Sequence, residues 1–367
     1  MTKTLRYENI NPIPALTWNW LRLNRATLSV DAPEIAGTVS VSGLADGVTY
    51  AEDGAQIART LPAMQGGAGT DADAVIASFS PVPSAIVAGT GKKIAAPVIL
   101  RFDLADGKSH VSQQVIVAEA DSAVTVILDY TSAPDADGFQ AVQTKLWAKE
   151  NARIHLVKVN LLGSRYTQLD DTAALCEDGA TIDVTQIELG GAKTYAGVGA
   201  TLAGYKSNFK SDTAYHTRAA QLLDMNCAVW HKGGATDTKM AVKGVVADNS
   251  VKIYRGTIDF QRGCIGATGD EQEETLLLSP TAINKSIPMI LCDEEDVSGT
   301  HGATIGRLSA DELFYMQSRG ISEEEAKRMM SRAKIAAVAH LIPDESIVAE
   351  IDSFIDRMAT SQSGAEK

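Results

Sequence analysis

The chain has 367 residues, which suits one large domain or two smaller ones. Hydrophobic residues make up 45% and aromatic residues only 5%, so the core must be built mainly from aliphatic side chains. Asp and Glu outnumber Lys and Arg by 46 to 33, which gives a formal net charge of −13. This acidic balance argues against nucleic-acid binding, which requires a basic face, and against docking on an anionic membrane.

Neither a membrane span nor a secretion signal is evident in the sequence. It contains no run of about 18 apolar residues, and its start lacks the apolar stretch and cleavage site of a signal peptide. The four cysteines include no CxxC pair and match neither a disulfide framework nor zinc-finger spacing. We therefore expect a cytoplasmic protein with reduced cysteines.

Residues 1–75 are predicted to form a mixed N-terminal region. Strand-like runs occur at 27–30 and 38–41, and a glycine-rich loop follows at 66–70. This loop lacks the third glycine of a dinucleotide-binding fingerprint, and a Gly-Lys pair at 91–92 lacks the other elements of a phosphate loop. Neither segment predicts a nucleotide site.

Residues 76–300 consist of short β-branched runs separated by Asp, Asn, Gly and Ser. Polar turns recur before these runs, with Ala123, Ala152 and Ala180 spaced 29 and 28 residues apart. Units of this kind bury a continuous aliphatic core when they stack as the coils of a solenoid. The repeat is weak, so an antiparallel sandwich remains an alternative on spacing alone.

Residues 301–367 are predicted to be helical. Ser309 and Glu312 match a capping box, Gly320 suits the end of that helix, and Ser322 with Glu325 begins a second helix. A third helix is predicted after residue 343, where apolar residues recur at helical spacing.

Two residues near the start of this region have metal-ligating chemistry. His301 lies among small residues, where a histidine either orders a turn or binds a metal, and its local chemistry favours the structural role. Cys292 ends an apolar run, in which cysteine often packs as a small hydrophobic residue. The residues alone leave both alternatives open.

The run IPMILCDEEDVSGTHGATIGRLSADELFYMQSRGISEEEAKRMM at 287–330 closely resembles the C-terminal signature of the SufB/SufD family. These proteins are scaffold subunits of the Suf iron–sulfur cluster assembly machinery. The resemblance extends more weakly over residues 74–340. It implies a right-handed parallel β-helix flanked by helical segments, a partner of the same family, and binding of the SufC ATPase.

The same motif is more similar to SufD than to SufB, because SufB chains have a glutamate at the position of Gly302. The SufD histidine falls on His301, but Gly299 replaces the SufD cysteine that lies two residues earlier. A cysteine of SufB chains has no counterpart in 271–278, whereas Cys292 lies where SufB chains often have one. The resemblance thus implies a divergent SufD.

We therefore predict a mainly β protein: a right-handed parallel β-helix core at 76–300, a small mixed region at 1–75 and a helical region at 301–367. Its predicted function is that of a SufD-like scaffold, non-catalytic alone, which pairs with a SufB-type chain and docks a SufC-type ATPase. The alternatives are a self-sufficient homodimeric scaffold and, with less support, a polysaccharide-active β-helix enzyme.

Two sites follow from this prediction. His301 and, second to it, Cys292 are candidate ligands for iron or a transient iron–sulfur cluster at the subunit interface, and we expect no cofactor bound tightly by this chain alone. The helices at 311–358 are predicted to dock the ATPase, with the alternative that they only cap the solenoid. The candidate docking residues are Glu323, Arg328, Met329, Met330 and Arg332.

Overall fold

Two long β-sheets face each other in the computed structural model, which describes residues 3–17, 19–32 and 34–362. The chain begins with an antiparallel hairpin of β1 and β2, which encloses a one-turn 3-10 helix. The elements up to the first long strands are β1 (Lys3–Ile10), the 3-10 turn (Asn19–Leu21), β2 (Ala26–Ala32), β3 (Thr38–Ser42), β4 (Val48–Ala51), α1 (Ala55–Ala58), α2 (Thr70–Ala77), β5 (Ser84–Ala88) and β6 (Val98–Leu104).

From β7 onward the strands alternate between the two sheets. The first sheet has the order β4-β5-β7-β9-β11-β13-β15-β17-β19, and the second has the order β3-β6-β8-β10-β12-β14-β16-β18-β20. The remaining strands of the first sheet are β7 (Lys108–Ala118), β9 (Asp137–Ala148), β11 (Arg165–Cys176), β13 (Lys193–Leu202), β15 (Leu222–His231), β17 (Val251–Phe260) and β19 (Ile283–Cys292). Those of the second sheet are β8 (Ala123–Ser132), β10 (Arg153–Leu161), β12 (Thr181–Glu188), β14 (Asn208–Thr217), β16 (Asp237–Val246), β18 (Ala267–Leu277) and β20 (Val297–Gly306).

This topology is a β-solenoid of about 8 turns, as the sequence predicts, and not an antiparallel sandwich. All pairs within the two sheets are parallel except β3 with β6 and β4 with β5, which begin the sheets. Successive strands of one sheet stack equivalent inward residues, such as Val126, Leu156 and Val184, which are fully or almost fully buried. One aliphatic column therefore runs through the coils.

In the first of these three coils, the position equivalent to Ala152 and Ala180 is one residue before Ala123. Ala123 pairs with Arg153, and Arg153 pairs with Thr181, so the residue that aligns with Ala152 and Ala180 is Ser122. Each of these three positions follows a turn residue with positive φ, namely Asp121, Asn151 and Gly179. The number of residues between paired positions of successive coils varies from 26 to 32, which hides the repeat from a search at one fixed period.

An N-terminal layer, made of β1, β2, α2 and their connecting segments, covers the outer face of the first sheet. The glycine-rich loop lies directly on the strands: the backbone N–H of Ala68 donates to Asp171 Oδ1 at 2.8 Å, and Asn226 Nδ2 donates to the carbonyl of Gly67 at 2.7 Å. A Cβ on Gly67 would stand 2.1 Å from the nitrogen of Val198. The glycines therefore permit close backbone contact and have a structural role.

A helical layer covers the outer face of the second sheet. The helices are α3 (Ala310–Ser318), α4 (Glu323–Ala339) and α5 (Glu345–Gln362), and Ser309 with Glu312 forms the predicted capping box. Ile335 of α4 and Ile351 of α5 pack against Val157 and Ile187 of the second sheet. These two helices thus cover the flank of the solenoid, whereas the sequence-based alternative placed them over its end. The proposed boundary at 300/301 falls inside β20.

Candidate functional site

The open end of the solenoid is formed by β19 and β20, beyond which the described part of the chain contains no further coil. Each strand has ten residues and, within the described ranges, pairs on one side only, β19 with β17 and β20 with β18. Unpaired strand edges of this length present backbone donors and acceptors to another chain. The interior column is likewise uncovered at this end.

His301 lies at the mouth of that interior column. It pairs in register with Glu271 of β18, which in turn pairs with Met240 of β16, and both of these side chains are buried inside the solenoid. The inward position of this row therefore continues to His301, because side chains at one register position share a face of the sheet. His301 is exposed since no coil covers it.

Cys292 occupies a corresponding position on the other sheet. It pairs in register with Phe260, which pairs with His231, and both of these rings lie in the interior. Cys292 is the one exposed cysteine of the four, and its thiol donates to the carbonyl of Glu294 at 3.0 Å. The other three cysteines are buried, as expected for packing residues.

The two candidate ligands share the open end but do not lie side by side. A Cβ on Gly299 would contact Ile290 Cγ2 at 3.2 Å, which places Ile290 opposite Gly299 and Cys292 opposite the start of β20. His301 is four residues beyond Val297, or about 13 Å at the rise of a β-strand. Among the residues described, no group of three or more His, Cys, Asp or Glu could hold a metal ion.

Glu271 is a buried acid directly below His301 that the sequence analysis did not single out. Its side chain is 2% exposed, and its Oε2 has no hydrogen-bond partner among the described residues. Burial, and then the nearby charge of Glu273, raise the pKa of Glu271 to about 8. The alternation of inward and outward residues along β18 could have identified it, had the register of that coil been known.

A second buried acid of β18 is paired. Lys252 of β17 forms an ion pair with Glu273, and Thr275 Oγ1 donates to Glu273 Oε1 at 3.0 Å. Ser286 of the last coil donates to the other carboxylate oxygen. Burial lowers the pKa of Lys252, and the Glu273 carboxylate opposes that shift. This network ties β19 to the two strands beneath the open end.

The C-terminal helices present a second exposed surface. Helix α3 has no buried residue, and Phe314 and Tyr315 are 74% and 60% exposed. Met329 in the second turn of α4 is 47% exposed. Large exposed apolar side chains grouped on one element are typical of a protein-binding surface. The aromatic pair of α3 lies inside the recognised motif but was not among the predicted docking residues.

The predicted docking residues of α4 have different surroundings. Glu323 pairs with Lys327, and Arg328 pairs with Glu325, all within the first turns of α4. Met330 is half-buried. Arg332 instead joins α4 to α5, because its guanidinium contacts carboxylates of α5 at 3.0 Å. Those carboxylates belong to Asp352 and Asp356.

None of the helices in the described ranges is both long enough and apolar enough to cross a lipid bilayer.

Comparison with known proteins places the chain in a family. Residues 102–334, more than half of the chain, match the model of the SufBD core domain of the SUF system for FeS cluster assembly. The chain is 27% identical over 258 residues to the iron–sulfur cluster assembly protein SufD of Bacillus subtilis, and 26% identical over 246 residues to that of Escherichia coli. Each alignment covers 66% of this chain, and 56% and 57% of the respective relative. The chain thus spans little more than half the length of these relatives, and it belongs to the SufB/SufD family as a SufD-like member.

Proposed function

We propose that this chain is a SufD-like scaffold subunit of an iron–sulfur cluster assembly complex, non-catalytic alone, in which its open end binds a SufB-type chain. The observation that carries the proposal is the pair of unpaired edges of β19 and β20 around an uncovered interior that contains His301. The match of the SufBD core over most of the solenoid favours this function over a polysaccharide-active enzyme. Four unpaired cysteines favour the cytoplasm.

End-to-end pairing uses both sheets at once. A second solenoid whose last strands lie against β19 and β20 extends each sheet through backbone hydrogen bonds, as in strand addition. Such pairing also covers the apolar part of the last coil, including Ile290, which packs against the main core while only half-buried. Both the backbone hydrogen bonds and the covered apolar surface favour association, and neither chain has to refold.

Iron or a nascent cluster is the cargo of this interface. His301 is the first candidate ligand from this chain and Cys292 the second, because imidazole and thiolate both suit iron. Since the two positions are offset by about 13 Å along the strands, they do not complete one small cluster. The partner subunit must supply the remaining ligands. The cluster is therefore bound only in the complex, and only transiently.

The surface that we propose for ATPase docking includes a smaller part of the helices than the sequence predicts. Helix α5 and the later turns of α4 pack against the solenoid through residues such as Ile335 and Met358, so those side chains are buried and cannot contact a partner. The exposed side chains of Phe314, Tyr315 and Met329 remain for a SufC-type ATPase. ATP hydrolysis then comes from that partner.

Copurification tests the scaffold assignment. The chain is coexpressed with the SufB-type chain and the SufC-type ATPase of its own genome, and the intact complex is weighed by native mass spectrometry. We expect a complex that contains all three chains. The variant Ala303→Arg places a charge at the exposed inward position of β20 and should release the SufB-type chain, whereas Ser298→Arg, exposed on the outward side of the same strand, should not. Copurification that neither variant changes would place the pairing surface elsewhere.

The role of His301 is tested on the reconstituted complex. His301→Ala should lower the iron and acid-labile sulfide bound after reconstitution, while the mass of the protein complex stays that of the wild type. His301 is exposed, so its replacement leaves no buried cavity. Unchanged iron and sulfide content would contradict the ligand role, and loss of the complex would show a structural one.

A further inference from the structure

Two of the four cysteines lie at the same corner of the open end. Cys292 ends β19 and pairs in register with Phe260, the last residue of β17. Cys264 lies in the turn 261–266 that follows Phe260, and these two residues belong to the main core cluster of the solenoid interior. The backbone N–H of Cys264 donates to the carbonyl of Gln261 at 3.2 Å, so this turn curls back toward the end of β17. The two cysteines therefore face each other from adjacent coils.

Glu294 joins the two segments that carry these cysteines. Its carbonyl accepts the hydrogen bond of the Cys292 thiol at 3.0 Å. Its carboxylate accepts the backbone N–H of Gly263, the neighbour of Cys264, at 2.8 Å. Burial, and then the nearby charges of Glu294 and Cys292, raise the pKa of the Cys264 thiol. Both thiols thus lie beside Glu294.

The spacing of adjacent coils suits a disulfide bond. Paired strands of one sheet lie about 4.8 Å apart, and a disulfide bond joins Cα atoms that are about 4.4–6.8 Å apart. The turns after β17 and β19 are also in direct contact, because the backbone N–H of Gly266 donates to the carbonyl of Asp296 at 2.7 Å. The side chain of Cys292 is exposed, so it is free to rotate toward the coil beneath.

The two thiols differ in their access to solvent. Cys292 is exposed, whereas Cys264 is fully buried. Redox-sensitive pairs commonly combine an accessible cysteine, which the oxidant reaches first, with a second cysteine that resolves it. Cys227 is less suitable as a second thiol, because it is in register with Gly256 and Pro288. That row is four residues before Cys292, an offset of about 13 Å along the strand.

We propose that Cys264 and Cys292 form a reversible disulfide bond while no partner covers the open end, and that this bond withdraws Cys292 from the interface. The second part rests on the proposed function, in which Cys292 is a candidate ligand for iron. A disulfide sulfur offers no thiolate to a metal, so oxidation lowers the amount of iron that the interface binds. Transient disulfides with a regulatory role also occur in reducing compartments.

Hydrogen peroxide is a sufficient oxidant for this step. The Cys292 thiolate attacks one peroxide oxygen, the O–O bond breaks, and Cys292 becomes a sulfenic acid while the other oxygen leaves as water. The Cys264 thiol then attacks this sulfur, the S–S bond forms, and the S–O bond breaks to release a second water. Together the two thiols lose two electrons and two protons, and the peroxide is reduced to two molecules of water. A dithiol such as dithiothreitol reverses the oxidation by thiol–disulfide exchange.

Peptide mapping of the full chain detects the bond. Trypsin places Cys264 on the peptide 263–285 and Cys292 on the peptide 286–307. After mild oxidation with hydrogen peroxide and blocking of free thiols, these peptides should be joined in the monomeric chain, and dithiothreitol should separate them. Cys292→Ser should abolish the joined species, whereas the matched control Cys227→Ser should keep it. Peroxide that links two chains, or that oxidises Cys292 while Cys264 stays free, overturns the pair.

The resolving role of Cys264 has its own readout. In Cys264→Ala, peroxide should drive the remaining thiol of Cys292 to sulfinic acid, which dithiothreitol does not reduce, whereas the wild type should recover both thiols. Thermal unfolding before oxidation checks that the variant is folded. If Cys292 recovers equally in both chains, Cys264 does not resolve it and the proposal fails.

The complex separates this inference from the proposed function. In the complex with the SufB-type chain, Cys292 should be protected from peroxide because the partner covers the open end. A chain oxidised before assembly should bind less iron on reconstitution, and dithiothreitol should restore the iron content. Equal iron content of oxidised and reduced chains overturns the regulatory part. If the joined peptides form but no SufB-type chain copurifies, the proposed function fails and the disulfide bond stands.

Discussion

The carboxylate of Glu271 lies in the space that Gly256 leaves on the opposite sheet. A Cβ on Gly256 would stand 2.2 Å from Glu271 Oε1 and 2.4 Å from its carboxyl carbon. One sheet thus supplies an inward acid at the level where the other sheet supplies no side chain. The interior beneath the open end is closed by this fit and not by apolar packing alone.

Replacing this glycine should therefore disturb the acid. Gly256→Ala forces the carboxylate of Glu271 or the backbone of β17 to move, and we expect a loss of about 1–3 kcal/mol in the free energy of unfolding. Urea denaturation measures the loss. Gly89→Ala is the matched control, because a Cβ there meets no atom closer than 3.6 Å. Equal stability of the two variants would show that Glu271 does not depend on Gly256.

Breaking the buried ion pair should cost more. Lys252→Met leaves the Glu273 carboxylate without its counter-charge, and Lys252 and Glu273 side chains are 0% and 2% exposed. A single removal of this kind typically costs about 3–5 kcal/mol. The double variant Lys252→Met/Glu273→Leu should recover part of that loss, because no unpaired charge remains. A double variant less stable than the single one would show that the pair is not what stabilises the site.

The stability of the chain should fall as pH rises through the range in which Glu188 titrates. Burial raises the pKa of Glu188 to about 7 from a usual value of 4.5, against the hydrogen bond that Asn160 Nδ2 donates at 2.9 Å. Between these two values the folded chain keeps a proton that the unfolded chain loses, so the carboxyl group destabilises the fold increasingly with pH.

Glu188→Gln removes this dependence because the amide stays neutral. The variant should match the wild type near pH 4.5 and exceed it by up to about 3 kcal/mol above pH 7, measured by urea denaturation across the pH range. Glu52→Gln, on an exposed loop residue, is the control and should change little. A constant difference between Glu188→Gln and the wild type at every pH would contradict the assignment.

The docking surface of α3 is tested without disturbing the solenoid. Phe314→Ala/Tyr315→Ala removes two exposed rings and should weaken binding of the SufC-type ATPase by about tenfold or more, as for interface aromatic residues. Calorimetric titration measures the affinity, and thermal unfolding should be unchanged. Gln317→Ala, exposed on the same helix, is the control. Normal affinity of the double variant would show that the ATPase binds another surface.

Features encoded by neighbouring residues could be predicted from the sequence. Ser309 and Glu312 are three residues apart, and their reciprocal capping forms as expected because both partners lie in one turn. The solenoid could be predicted from its polar turns. Its register could not, since coils of 26 to 32 residues shift the inward positions from one coil to the next.

The candidate site shows the same limit. His301 was found through a local motif, whereas Glu271 below it depends on the pairing of β18 with β20. The placement of α4 and α5 on the flank depends on apolar rows of the second sheet, such as Val157 and Ile187, that appear only when the coils stack. Long-range register thus decides which residues share the open end.

The anchors of the N-terminal layer impose an order on folding. Asn11 bonds to Asp224, 213 residues away, and Leu23 bonds to Arg255, 232 residues away. During synthesis the N-terminal layer emerges long before β15 and β17 exist, so Asn11 and Leu23 cannot reach these partners until β17 has stacked. Apolar side chains of this layer, such as Leu28 and Ile10, are fully buried once it has docked, and the nascent chain exposes them until the strands on which they pack have formed.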